Sequence, residues 1–394
     1  MFAVLTIARK PIARILMVLS ALWLSACQPV GLSPMASGPG INTDAPVPVA
    51  LLVPRGSDNS GDALLAQSLE NAARMAMRDL QGVEVDLRVY DTAAMPGQAS
   101  TAATKAVDDG ARIILGPVYA ETANAAAVAV APSGVNVLSF SNNTTIAGGN
   151  LFVLGQTFQN TANRLVSYAA SQGRSNVLAV HSNDTPGQLG RRAISDAVAR
   201  NGVTVAGSVS YELSQQGVID AVGRIVERVK ETNADTLFLT ANTAGALPLL
   251  SQLLPEAGLK PGPDLQYVGL TRWDIPSQTL ELPGVQGGWF ALPAPDLNAR
   301  FRSRYEEAYS GAPHPIGGLA YDGVAAIGAL ASSGQRDALT RQSLTQRAGF
   351  QGVNGVFRLR PDGTNERGLA VARITDNKVD VIDPAPRSFN RAGF

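Results

Sequence analysis

The sequence predicts an α/β protein built as two doubly wound parallel-sheet lobes with a cleft between them. Three observations lead there. From residue 47 onward, hydrophobic periodicity alternates between two and about three and a half residues, as expected where strands and helices take turns. The strand-like runs recur about every 25 to 35 residues, the spacing of right-handed βαβ units and therefore of parallel sheets. They also fall into two successive series that meet near residues 150 to 160, where a single sheet would be very large.

The segment ahead of residue 47 reads differently. Arg9, Lys10 and Arg14 precede an apolar run from Ile15 to Leu24, and Ser25 and Ala26 lead to Cys27, the single cysteine of the chain. This is the layout of a secretory signal. The run of about ten residues is too short for the ~20 that a spanning helix needs. Its ending, "LSAC", resembles the bacterial lipobox, which implies cleavage before Cys27 and lipid on its thiol. Residues 27–46 are rich in Pro, Gly and Ser and read as a flexible tether. With Gln28 after the cysteine, the resemblance implies a periplasmic protein held by lipid, at the outer membrane of a Gram-negative bacterium in preference to the inner one.

In the first series, "VPVALLVP" (47–54) is a strand apolar on both faces. Leu65, Leu69, Ala72, Ala76 and Leu80 then line one side of a helix over 62–80. "VEVDLRVYD", "ARIILGP" and "VNVLSFS" are further strands, with helices near 98–109 and 121–131 between them. The second series comprises "NVLAVHS", "VTVAGSVSYE", "DTLFLTAN" and "QYVGL", with helices near 159–172, 187–200, 217–231 and 244–253. These runs assign 47–155 to lobe 1 and 156–285 to lobe 2. Residues 286–350 hold "GGWFALP", a helix near 297–309 and the small-residue helix "PIGGLAYDGVAAIGALASS". They have too few strands for a sheet and are expected to return to lobe 1. Residues 351–394 alternate around Pro361-Asp362-Gly363, which predicts a hairpin with its tail on lobe 2.

Composition excludes several functions. Lys plus Arg and Asp plus Glu both total 32, so no net field draws nucleic acid. His181 and His314 are the two histidines, far apart and without Cys or His at metal-ligand spacing. No G-x-S-x-G, H-E-x-x-H or G-x-x-x-x-G-K is present, and no lysine follows a serine at the S-x-x-K spacing. Neither an enzyme, a metal nor a cofactor is expected.

A family resemblance rests on "ILGPVYAETANAAAVAVAPSGVNVLSFSNNT", "LFVLGQTFQNTANRLVSYAASQGRSNVLAVHSND", "FRSRYEEAYSGAPHPIGGLAYDGVAAI" and "FQGVNGVFRLRPDGTNERGLAVARI". From about 47 to 382 the chain resembles type I periplasmic binding proteins of the leucine/isoleucine/valine-binding group. Within that group, "FVLGQTFQNTANRLVSYAASQG", "NGVFRLRPDGTNERGLAV" and the lipobox are most similar to the lipoprotein activators of penicillin-binding proteins. The resemblance implies ligand contacts in the loops after the third and fourth strands of lobe 1. There stand Tyr119, Glu121 and Thr122, and then Ser141, Asn142, Asn143 and Thr144. Short hydroxyl and amide side chains with helix-start amides suit a carboxylate, and the same residue types also serve as caps and turns. Against the family pattern, Ala120 stands where an amino-acid binder has a hydroxyl, and "NDTPGQ", with Pro186, where it has an aromatic turn.

Asp274 in "LTRWDIPS" is the acid that the resemblance offers for a ligand ammonium, and Trp273 beside it either stacks on a ligand or packs. Tyr321 and Asp322 begin an apolar helix and either face the cleft or cap and pack. Trp289 suits a core position. Two functions follow. The leading one is an activator of a penicillin-binding protein in peptidoglycan synthesis, acting by contact, although the helical-repeat domain of the enteric activators has no counterpart here. The alternative is the receptor of an ABC importer for an amino-acid-like or amide ligand, with the permease as partner.

Overall fold

The computed structural model describes residues 38–389. The expected signal, Cys27 and the first part of the expected tether lie outside them. The rest of that tether is not loose: Ile41 is buried, and its amide donates to the Arg336 carbonyl at 2.8 Å. An apolar side chain had a wall to pack on, so the ordered body begins ahead of residue 47.

Lobe 1 opens with β1 (Val47–Val53), α1 (Ser60–Asp79), β2 (Val85–Asp91), α2 (Pro96–Asp108), β3 (Ile113–Leu115), α3 (Ala120–Val130), β4 (Asn136–Ser139) and β5 (Leu151–Val153). The strands form a parallel sheet in the order β2-β1-β3-β4-β5. In β1 the period of two is explicit: Val49, Leu51 and Val53 enter one apolar cluster, while Ala50 and Leu52 enter the cluster on the opposite face. Each fully buried leucine or valine of this kind stabilises the lobe by about 1.5–3 kcal/mol. Helix α1 starts where the Asn59 side chain accepts from the Gly61 amide, and it buries Leu65, Leu69, Ala72 and Ala76. Leu80, expected in its last turn, is the extended residue that ends it.

Lobe 2 follows with α4 (Phe158–Ser171), β6 (Asn176–Ser182), α5 (Thr185–Arg200), β7 (Thr204–Tyr211), α6 (Gln215–Thr232), β8 (Thr236–Leu239), α7 (Leu247–Glu256), β9 (Gln266–Gly269) and β10 (Trp289–Leu292). β10 pairs with β9 in parallel, so the return to lobe 1 expected at residue 286 comes only after Leu292. Its four buried residues, "WFAL", are a strand core too short to show a period. Trp289 lies within it, its ring edge-on to Tyr168 at 5.0 Å.

The chain then gives lobe 1 α8 (Pro295–Tyr309), α9 (Gly318–Ala331) and the short α10 (Arg341–Leu344). β11 (Phe350–Gly352), β12 (Gly355–Leu359) and β13 (Asn365–Arg367) form a three-stranded antiparallel sheet, with Pro361-Asp362-Gly363 in the turn as expected. Its place differs from the expectation. Phe350, Phe357 and Leu359 bury into the apolar core of lobe 1, and the Val153 amide donates to the Gly363 carbonyl, so the hairpin is seated on lobe 1. Only β14 (Ala370–Thr375) and β15 (Lys378–Asp383) join lobe 2, antiparallel, to give the order β15-β14-β10-β9-β8-β6-β7.

The lobes are thus joined by three crossings, after β5, after β10 and between β13 and β14. Side chains stitch the crossings together. Asn365 donates to the Val153 and Gly155 carbonyls at 2.7 and 2.9 Å, and Asn160 donates to the Asn365 carbonyl at 2.9 Å. Arg367 donates through Nε to the Leu154 carbonyl at 2.9 Å.

Candidate ligand-binding cleft

A cavity of about 640 Å³ opens between the lobes. Lobe 1 contributes Val118 to Ala120, Phe140 to Asn143, Leu319 and Asn354; lobe 2 contributes Phe158, Thr161 and Leu270 to Arg272; the crossings contribute Gln156 and Arg367. The cavity therefore sits where strand C-termini and helix N-termini of both sheets converge, the position at which open α/β sheets take ligands.

The loops that form it are rigid for identifiable reasons. Gly116, at φ +84°, turns the chain out of β3 so closely over β1 that an added Cβ would run into the Leu52 carbonyl oxygen. After β4 a ladder of short side chains shapes the second loop. Ser139 Oγ donates to the Pro117 carbonyl at 2.8 Å and accepts from the Ser141 amide at 3.1 Å. Ser141 Oγ in turn accepts from the Asn143 amide at 3.1 Å, and Asn143 Oδ1 accepts from the Thr145 amide at 2.9 Å. On the lobe 2 side Thr157 and Asn160 form a reciprocal capping box at the start of α4, and Gln156 donates to Thr161 Oγ1 at 3.0 Å.

Among the described residues, charge enters the wall only as arginine. Arg272 grips Asp274 through both Nε, at 2.5 Å, and Nη2. Arg367 pairs with Asp322 at 3.0 Å, both side chains being buried. Behind the Tyr119 ring, the Tyr119 hydroxyl donates to Asp62; burial and that carboxylate push the phenol up to about 12.

The comparisons with known proteins bear on this geometry. A family model described as periplasmic binding protein matches residues 46–378. The chain belongs to the periplasmic binding protein family. Solved structures with this fold include a branched chain amino acid ABC transporter periplasmic ligand-binding protein from Burkholderia xenovorans, 17% identical, with a TM-score of 0.68 over 86% of this chain and 96% of that one. An ABC transporter substrate-binding protein from Desulfitobacterium hafniense in complex with Leu is 18% identical, with a TM-score of 0.64 over 86% of this chain and 100% of that one. A solute binding protein of an ABC transporter from Rhodopseudomonas palustris, in complex with 3,4-dihydroxy benzoic acid, is 17% identical, with a TM-score of 0.58 over 86% and 96%. At these identities the likeness is one of fold. No curated protein matches the chain.

In this periplasmic binding protein, four of the expected contact residues reach the cavity wall: Tyr119, Ser141, Asn142 and Asn143. The others are placed elsewhere. Glu121 is exposed on α3, and Thr122 is buried, donating to the Tyr119 carbonyl at 2.9 Å. Thr144 opens a single helical turn capped by Asn143. Trp273 is fully buried in the apolar core of lobe 2, its ring lying on the backbone where Gly269 has no Cβ, so it packs and does not stack on a ligand. Asp274 is engaged by Arg272 and is not in the wall. Tyr321 turns away from the cleft and donates to Asp79 on α1 at 2.5 Å. Asp322 is buried beneath the crossings, where it accepts from the Val353 amide at 2.8 Å and from Asn354 Nδ2 at 3.0 Å. Pro186 lies in the first turn of α5, which Asp184 caps.

Sequence reasoning missed Gln156, Thr161, Arg272, Asn354 and Arg367. Gln156 and Arg367 flank places where the chain changes lobes, which is a signal of position; Thr161, Arg272 and Asn354 carry none. His181 is buried against the Ser182 carbonyl at 2.9 Å, outside the cavity wall. A second cavity, of about 890 Å³, is confined to lobe 2 between the starts of α6 and α7 and takes nothing from lobe 1. Among the described residues no group of three or more His, Cys, Asp and Glu is placed to hold a metal ion, and no helix is long and apolar enough to cross a membrane.

Proposed function

We propose that the protein is the substrate-binding receptor of an ABC importer, holding a small solute in the periplasm between its two lobes and presenting it to a permease. The observation that carries this reading is the interlobe cavity, walled by apolar side chains with a few polar groups from both lobes and from the crossings. The leucine and dihydroxybenzoic acid of the two solved complexes share a carboxylate on an apolar body, and the wall around Ser141 and Phe140 suits that combination. Lipid anchoring at Cys27 and outer-membrane placement belong to the same proposal; mass spectrometry of the membrane-extracted N-terminus tests the first.

The test is a thermal melt with a panel of amino acids, amides and organic acids. A true ligand at a hundred times its Kd stabilises the folded state by about 2.7 kcal/mol, which moves the midpoint visibly. Activation of a penicillin-binding protein remains as a second reading on the segments "FVLGQTFQNTANRLVSYAASQG" and "NGVFRLRPDGTNERGLAV". The relatives favour the receptor, since all three are binding proteins of ABC transporters. Silence across the panel together with retention of a penicillin-binding protein in pull-down would reverse that order.

A further inference from the structure

We infer that the cleft takes an organic carboxylate that has no ammonium group, an apolar monoanion and not a free amino acid; this rests on the receptor reading. The first ground is the absence of a free acid from the wall. Of the described residues that form the cavity none is Asp or Glu, and the two charged ones, Arg272 and Arg367, are cations. Two of the three neighbouring carboxylates are fully committed. Asp274 is held in a two-pronged grip by Arg272. Asp322 is saturated by Arg367, Asn354 and the Val353 amide. The third, Asp62, takes the Tyr119 hydroxyl on Oδ1 and has a buried Oδ2 without a hydrogen-bond partner among the described residues, but it does not belong to the wall. A ligand ammonium would enter a partly apolar site with no opposite charge to meet it, and a buried unpaired charge is strongly disfavoured.

The second ground is a surplus of donors on the lobe 1 side. Ser141 is 6% exposed and lines the cavity; its Oγ accepts from the Asn143 amide, and its own hydrogen has no acceptor among the described residues. Tyr119, which precedes α3, caps none of that helix's first amides with its side chain, and the helix start faces the same wall through Ala120. Arg272 has a third nitrogen, Nη1, that makes no hydrogen bond among the described residues. A hydroxyl, uncapped helix amides and a guanidinium edge all recognise negative oxygen. Beyond them Phe140, Phe158, Leu270, Ile275 and Leu319 supply an apolar wall for the rest of the ligand.

The experiment is calorimetric titration of the full chain with three probes on one carbon skeleton: leucine, 4-methylpentanoate and 3-methylbutylamine. A second pair, phenylalanine and 3-phenylpropanoate, covers a larger body. The expected result is that each acid binds at least tenfold more tightly than its amino acid and that the amine does not bind. Ser141→Ala, checked for an unchanged melting midpoint, is expected to weaken the acid about tenfold. Leucine or phenylalanine binding as tightly as its acid, or more so, overturns the inference and leaves the receptor reading standing. Failure of both acids to bind overturns the inference; the receptor reading falls with it only if the wider panel of amino acids, amides and organic acids is silent as well.

Discussion

Asp322 and Arg367, 45 positions apart in the chain, pair at 3.0 Å with both side chains shut away from solvent. Asp322 belongs to the α9 helix of lobe 1, and Arg367 ends β13, just before the chain enters lobe 2. Because Arg367 also donates to the Leu154 carbonyl, this one pair ties the first crossing to the third.

Removing one member strands the other. Arg367→Met should destabilise the protein by about 3–5 kcal/mol, the usual cost of leaving a buried charge unpaired. The double variant Arg367→Met with Asp322→Leu should recover part of that loss. Chemical denaturation of the three proteins checks it; equal losses in the single and double variants would mean that packing and not charge is at stake.

Trp273 separates stability from binding. Trp273→Ala empties a fully buried site in lobe 2 and should cost about 3–5 kcal/mol. Ligand affinity measured well below the melting midpoint should stay within threefold of the parent. A large loss of affinity at unchanged stability would return Trp273 to the ligand.

Gly116→Ala tests the turn that aims the first cleft loop. At φ +84° a side chain is strained by about 1–3 kcal/mol, and the close Leu52 carbonyl adds to that. Both the melting midpoint and ligand affinity should fall, because the loop that carries Tyr119 is displaced. Unchanged affinity would show that the loop is positioned independently of this turn.

The histidines set a pH dependence. Burial lowers the pKa of both His181 and His314 from the ordinary 6.5, against the pull of the Ser182 carbonyl on the first and of Asp62 on the second. Between the lowered folded value and 6.5 the unfolded chain binds more protons, so stability is whole above 6.5 and declines as pH falls toward the folded values. Melting midpoints recorded from pH 7.5 downward should drop below about 6.5. His181→Gln should reduce the slope, and an unchanged slope in that variant would remove His181 from the account.

The sheets were legible because their strands are buried on both faces, and runs such as Val47–Val53 advertise this in composition alone. β5 and β10 were not, since three or four residues cannot display a period. The hairpin was legible as a hairpin from Pro361-Asp362-Gly363, yet its lobe was not: Phe357 and Leu359 would have suited either core, and only the tertiary arrangement decides. In the cleft, the Ser-Asn-Asn run was visible as a loop of short polar side chains. Arg272 and Arg367 were hidden because their presence in the wall depends on which acids they meet. Trp273 was misplaced for a related reason, since the ring folds back on Gly269 instead of continuing outward from β9.

The threefold passage between lobes also governs how the protein can be made and cut. Lobe 1 buries Phe357 and Leu359, and lobe 2 takes β14 beside β10, so neither core is complete until the last tenth of the chain has arrived. The N-terminal strands must wait for their lids while the whole of lobe 2 is synthesised. Loss of residues 350–383 at any later time would open both interiors at once.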